Sequence, residues 1–301
     1  MIRSLLTREL KLVSKGLLYK DTRLISTTTS PGRLEGKVAL ITGGASGLGK
    51  ATAHEYIRNG ARVILADINT EVGPKVAEEL GPSAHFVPCD VADEAQIVKA
   101  VEAAMGLHGK LDIMYNNAGI TGPAFPPSIT ELDLNTFDQV MNINVRGTLA
   151  GIKHAARVMI PLGSGSILCT ASMSGLMGGI GPHSYTISKF TIPGIVKSAA
   201  SELCKTGVRI NCISPGPVVT PLSVAQLALY YKGATMEQLG EIVNGLGELK
   251  GAKCEEIDVA HAAVYLGSDE SKYITGHNLV VDGGFTSFKD VKLPSPDQFL
   301  L

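Results

Sequence analysis

The sequence predicts an α/β fold: a single domain on a seven-stranded parallel sheet, doubly wound, with helices on both faces. Three observations predict it. Seven short apolar runs recur along the chain, helical stretches of ten or more residues separate most of them, and a glycine-rich turn follows the first run directly. Repeated strand–helix units imply parallel strands whose two faces are both covered.

Val38–Ile41 is the first run: short, apolar and followed by glycines. A helix is expected over Gly47–Asn59, then a strand at Arg62–Ala66 and another at Ala84–Val87. Ala95–Met105 reads as a helix. Leu111–Tyr115, Ser166–Cys169, Arg209–Cys212 and Asn278–Val281 complete the strands. No linker interrupts residues 36 to 286, so one domain is expected over residues 34–287. Residues 221–251 break the strand–helix rhythm just before the last strand. They read as a lid over a site, as a pair of surface helices, or as both. A tail follows over 288–301, with Pro294 and Pro296, expected to be loosely ordered or docked on another subunit.

The chain has 301 residues, 45% of them hydrophobic, and a net charge of −1. That balance fits a globular enzyme and gives no reason to expect a nucleic acid as partner. No apolar run approaches the roughly 18 residues that would span a bilayer, so no membrane partner is expected. None of the five cysteines forms a CxxC pair. Cys89, Cys169 and Cys212 fall in or beside apolar runs, which reads as buried reduced thiols in a reducing compartment. The seven histidines show no metal spacing, so no metal is expected.

The first thirty residues differ from the rest. Six basic residues against Glu9 and Asp21 give them +4 and leave −5 for the remainder. Leu6, Leu10, Val13 and Leu17 share a helical face, and hydroxyl residues crowd in from Ser26 to Ser30. Such a leader resembles an organelle transit peptide. Arg23-Leu24-Ile25-Ser26 resembles a mitochondrial processing site, so mitochondrial import is expected, with plastid or cytoplasmic residence as alternatives. The other reading is a flexible or partner-binding arm.

Thr42–Gly49 closes the first strand and opens a helix. Gly43 permits a tight turn, Gly47 a close backbone approach to a pyrophosphate, and Gly49 close packing of helix on strand. Asp67 ends the second strand, twenty residues after Gly47. A carboxylate there accepts from ribose hydroxyls and repels a 2′-phosphate. Positions 43–48 and 68–70 hold no arginine or lysine, so NAD is expected rather than NADP. Further along, Tyr185 and Lys189 are four residues apart, on one face of a helix, with Ser172 thirteen residues before the tyrosine. An ammonium beside a phenol favours the phenolate and makes a proton acceptor usable near neutral pH.

These segments, with Asn116–Gly119 and Pro215–Thr220, occur in the order seen in the short-chain dehydrogenase/reductase family, and the resemblance covers residues 34 to 287. Gly178–Tyr185, His154–Pro161 and Asp282–Phe285 resemble the plant alcohol dehydrogenases of terpenoid and lignan specialised metabolism, such as secoisolariciresinol and xanthoxin dehydrogenases and momilactone A synthase. The resemblance implies a Rossmann fold and an NAD-dependent oxidoreductase. Tyr185 would be the acid/base, Lys189 its modulator and a holder of the nicotinamide ribose, and Ser172 a hydrogen-bond partner of the substrate oxygen. Asn144 would position a water for a proton relay through Lys189; Asn142 is the less favoured choice. The cofactor set would be Gly43, Ser46, Gly47, Leu48, Gly49, Asp67, Asp90, Val91, Asn117, Tyr185, Lys189, Val218 and Thr220.

The substrate implied is a small apolar cyclic alcohol or ketone, met by Met173, Leu176, Met177, Leu222, Leu227 and Tyr230. His183 is a further candidate contact, with a loop role equally open. A ketone reductase or a non-catalytic cofactor-binding scaffold are the alternatives. A homotetramer is implied, with helices after Thr136 and Tyr185 pairing between subunits and Ala199, Ala200 and the segment near Phe285 offering contact surfaces.

Overall fold

The computed structural model describes residues 32–122 and 128–288. The leader and the C-terminal tail lie outside the described residues. Seven parallel strands form one sheet in the order β3-β2-β1-β4-β5-β6-β7. They are β1 (Val38–Thr42), β2 (Arg62–Asp67), β3 (Ala84–Pro88), β4 (Ile113–Asn116), β5 (Gly165–Thr170), β6 (Val208–Pro215) and β7 (Asn278–Val281). All seven expected strands are present. β4 starts later than expected, because Asp112 works at the strand's mouth: its carboxylate accepts from Val38 N at 2.7 Å and pairs with Lys110 at 2.9 Å. β6 runs longer than expected, through Pro215, and its register with β7 extends to Val281.

The helices are α1 (Gly47–Arg58), α2 (Gly73–Leu80), α3 (Glu94–His108), α4 (Leu134–Met141), α5 (Thr148–Met159), α6 (His183–Leu203), α7 (Pro221–Tyr230), α8 (Met236–Gly245) and α9 (Glu256–Gly267). α4 and α5 are joined without a break by a π-helical stretch, Asn142–Gly147.

The double winding follows from the period of a strand. Successive side chains point to opposite faces, so an all-apolar strand must feed two cores. Val38 and Leu40, Ile64 and Ala66, Ile167 and Cys169 join one cluster with α3, α5 and α6. Ala39 and Ile41, Val63 and Leu65, and Leu168 join the other with α1, α2 and α9. Strand order reverses between β1 and β4, where connections leave in opposite directions and open a crevice at the carboxyl ends.

All five cysteines are free, and Cys89, Cys169 and Cys212 are buried as expected. Burial pushes the Cys89 thiol up to about 11 and Cys212 to about 12. Residues 221–251 hold two helices, as one of the readings expected: α7 and α8, each opened by a side-chain capping box at Thr220 and Thr235. Ala200 is a correction. Expected at a subunit surface, it is buried in the intrachain core, with Ala199 packed against that core.

Close packing of α5 on β4 gives a test. A Cβ on Gly151 would stand 1.8 Å from Asn116 Oδ1 and 2.8 Å from Met114 Cε, whereas one on Gly106 in α3 meets nothing within 4 Å. Gly151→Ala is expected to destabilise by about 1–3 kcal/mol. Gly106→Ala is expected to stabilise by up to about 1 kcal/mol. Urea denaturation midpoints of the two variants should move in opposite directions at unchanged slope.

Candidate active site

The glycine turn leaves β1 at the crevice. Gly43 and Gly47 take positive φ, +65° and +51°, the left-handed region that favours glycine. Gly49 has no such need; its constraint is space. A Cβ there would lie 2.0 Å from the Gly43 carbonyl oxygen and 2.8 Å from Asn117 Nδ2. Ser46 caps α1 with extended backbone but makes no side-chain cap bond, and no acidic residue sits in the first turn. The leading N–H groups of α1 can therefore serve an anion. A glycine cradle at a helix N-terminus fits the phosphates of a dinucleotide.

Asp67 lies at the end of β2, buried. Its Oδ2 accepts from Ala45 N at 3.0 Å and its Oδ1 from Asn69 N at 2.9 Å. The same carboxylate expected to meet a ribose thus also braces the glycine turn. Asp90, beyond β3, accepts from Ala92 N at 2.9 Å, and Val91 is buried beside it.

Thr42 and Asn117 tie the two sides of the crevice. Thr42 Oγ1 accepts from the backbone N–H of Asn117 at 3.0 Å and of Ala118 at 3.1 Å. Asn117 Nδ2 donates to Thr42 O at 3.1 Å and lies 3.3 Å from Gly43 O. Asn117 Oδ1 accepts from Thr170 Oγ1 at 3.1 Å. The sequence reading named Asn117 but missed Thr42 and Thr170. The threonine ending an apolar strand just before a glycine turn was the available signal for the first.

α6 carries Tyr185 and Lys189 on one face, as the spacing requires. Lys189 Nζ lies 5.6 Å from the Tyr185 ring centroid and donates to Thr170 O at 2.7 Å. Ser172, just past β5, accepts from Ser174 N at 3.1 Å and lines the same cleft as Tyr185. The electrostatics correct the expectation. Burial raises the Tyr185 phenol above its ordinary value, and the Ser172 hydroxyl opposes the rise. Burial also lowers Lys189 to about 8.

Asn144 sits in the π-helical stretch, nearly fully buried. Its Oδ1 accepts from Ile120 N at 2.9 Å; its Nδ2 donates to Ile120 O at 2.9 Å and to Ser188 Oγ at 3.0 Å. A Cβ on Gly119 would lie 3.1 Å from Asn144 Oδ1 and 3.6 Å from Lys189 Nζ, so the asparagine and the lysine flank one glycine. Asn142 instead faces Arg146, at 3.5 Å.

A cleft of about 680 Å³ brings these parts together. Gly43, Ser46, Gly47, Leu48, Asn117, Ser172, Tyr185, Lys189, Val218 and Thr220 line it. Gly49, Asp67, Asp90, Val91 and Asn144 are not among its lining residues. Of the expected apolar contacts, Met173, Leu222, Leu227 and Tyr230 line the cleft. Leu176 and Met177 do not; both are largely exposed. His183 opens α6 and does not line the cleft either. Tyr231, Val243, Leu246 and Phe285 were missed. The i, i+4, i+7 spacing of Leu239, Val243 and Leu246 was the available signal for a helix face turned inward. Phe285, in the segment expected at a subunit contact, lines the cleft. Among the described residues no cluster of histidine, cysteine and acidic side chains could hold a metal, and no helix is long and apolar enough to cross a membrane.

Comparison with known proteins accords with this geometry. Residues 43–286 match the family model described as enoyl-(acyl carrier protein) reductase. The chain is 45% identical to secoisolariciresinol dehydrogenase of Forsythia intermedia over 84% of this chain and 90% of that protein. It is 44% identical to (+)-borneol dehydrogenase 2 of Salvia officinalis over 87% and 93%. Among solved structures, 3-ketoacyl-(acyl-carrier-protein) reductase from Brucella melitensis, complexed with NADH, superposes with a TM-score of 0.75 at 32% identity, covering 84% of this chain and 99% of that one. With that coverage and that identity, the chain belongs to the short-chain dehydrogenase/reductase family of oxidoreductases.

Proposed function

We propose that this chain oxidises a secondary alcohol on an apolar cyclic compound, of terpenoid or phenylpropanoid type, using NAD. One observation carries the reading: Tyr185, Lys189 and Ser172 open onto the same cleft as the glycine turn. The apolar wall from α7 and α8 and the names of the two plant relatives support the substrate class.

The residues present fit a dinucleotide. Gly43, Ser46, Gly47, Leu48 and Gly49 would cradle its phosphates, Asp67, Asp90 and Val91 its adenosine end, and Asn117, Tyr185, Lys189, Val218 and Thr220 its nicotinamide end. Bound there, it supplies the hydride acceptor. The protein's own work is orientation and proton transfer. Ser172 donates to the substrate oxygen, and Tyr185 Oη accepts the hydroxyl proton. Lys189, fixed by Thr170 O, holds the ribose end and passes the proton toward a water beside Asn144. Run backwards, the same groups reduce a ketone.

Tyr185→Phe removes the proton acceptor and little volume. Turnover should fall by about 10²–10⁴-fold while NADH binding persists. The pH dependence follows from the raised phenol. The form that accepts a proton is the phenolate, so alcohol oxidation should increase with pH. Ser172 is the group that lowers the phenol, so Ser172→Ala should move that rise to higher pH. Activity of Tyr185→Phe within a few-fold of wild type would remove it from the acid/base role.

NAD over NADP rests on Asp67, whose carboxylate would meet the 2′-phosphate, with the exposed Ile68 next to it. Asp67→Ser with Ile68→Arg is expected to shift kcat/KM toward NADP, and serine retains an acceptor for the Ala45 and Asn69 N–H groups. Equal use of both dinucleotides by the wild type would count against the assignment.

The leader and the assembly complete the proposal. Residues 1–30 direct import to mitochondria, with plastids as second choice. The folded part forms a homotetramer, for which exposed Leu149 on α5 and Ile187 and Phe190 on α6 are the support. A fluorescent fusion of residues 1–40 should enter mitochondria, and the purified folded part should sediment as a tetramer. A diffuse cytosolic signal, or a monomer at micromolar concentration, would reject the respective part.

A further inference from the structure

We propose that Glu256 tunes cofactor affinity: its carboxylate stands, with no hydrogen-bond or ion-pair partner among the described residues, beside the turn that would hold the dinucleotide phosphates. The inference rests on the assignment of the glycine turn to a dinucleotide. Glu256 is the first residue of α9, which packs along α1. Its Oε1 lies 3.9 Å from the point where a Cβ of Gly47 would stand. Pro221 Cδ and Thr220 Cβ lie 3.7 Å from the same point. The carboxylate therefore shares one wall of the turn with the start of α7, although it does not line the cleft itself. It acts through space, not by contact.

Among the described residues no hydrogen bond or ion pair satisfies this side chain. Lys50 is the cation that acts on it, but Lys50 Nζ is paired with Glu79 at 2.7 Å. An acid in the first turn of a helix ordinarily complements the helix dipole. Glu256 shares that turn with Asp258, which makes the capping contact. Asp258 accepts from Glu255 N at 2.8 Å, and the Glu255 side chain completes the capping box. Glu256 is half-buried, and burial raises its carboxyl above the usual range. The helix N-terminus and Lys50 act on this charge, but no partner within hydrogen-bond reach holds it.

Two fields then meet at Gly47. The first N–H groups of α1 attract a pyrophosphate, and Glu256 opposes it. The opposing charge weakens binding of the dinucleotide. A cofactor that must leave after every turnover benefits from weaker binding, because release limits many such cycles.

The test is NADH binding to the purified full chain, followed by nucleotide fluorescence. Glu256→Gln keeps the shape and removes the charge; Glu256→Ser is a second variant should the first fold poorly. The variant is expected to bind NADH and ADP-ribose about three- to tenfold more tightly than the wild type, with the gap narrowing as salt rises from about 50 to about 500 mM. Adenosine, which lacks the phosphates, should show no gain. An unchanged or weaker NADH affinity in the variant, or an equal gain with adenosine, overturns the proposal. If the wild type binds no NADH at all, the dinucleotide reading falls first and this proposal with it.

Discussion

The contact on which the site depends is the one between the glycine turn and itself. Gly49, at the start of α1, lies where a Cβ would stand 2.0 Å from the Gly43 carbonyl oxygen. No side chain fits, so the helix must begin directly against the turn that precedes it. Asn117 then bonds Thr42 O and approaches Gly43 O, so the end of β4 is fastened to the same turn. Asp67 does likewise from β2, through Ala45 N. Three strand ends thus hold one loop. Its N–H groups are preorganised before any ligand arrives, and that preorganisation is what a phosphate site needs.

The proton machinery is built on burial, which acts against both of its charged forms. Taking Tyr185 out of water raises it, and taking Lys189 out of water lowers it. The two shifts leave the phenol the tighter holder of its proton and the ammonium the readier donor. Ser172 tips the balance at the tyrosine and Thr170 O secures the lysine. The π-helical stretch serves the same end. Its wider turn places Asn144 where both ends of its amide grip Ile120, and so the loop after β4 is held beside Lys189.

Much of this was legible in the residues. Apolar runs such as Val38–Ile41 and Arg62–Ala66 are too short for helices and too apolar for a half-exposed sheet, so a buried parallel sheet was the remaining solution. The four-residue spacing of Tyr185 and Lys189 dictated a shared helical face whatever the surroundings. The cleft wall was only half legible. Met173, Leu222, Leu227 and Tyr230 were read correctly, but Leu176 and Met177, identical in chemistry, point elsewhere. Apolar character alone does not say which cavity a side chain faces. Ala200 shows the same limit in reverse: it looks like contact surface in the sequence and is used inside the chain.

What the sequence by itself determined was local: strand period, helix face, and turns that only glycine can make. Those follow from backbone geometry, which each residue carries with it. Tertiary structure decided what depends on distant partners. It set Asp67 as brace as well as candidate ribose acceptor, and Thr42 as the clasp between β1 and β4. It raised Tyr185 instead of lowering it, because residues far apart in the chain take the phenol out of water. Proton affinities and cavity walls are sums over everything nearby, and a sequence records neighbours only along the chain.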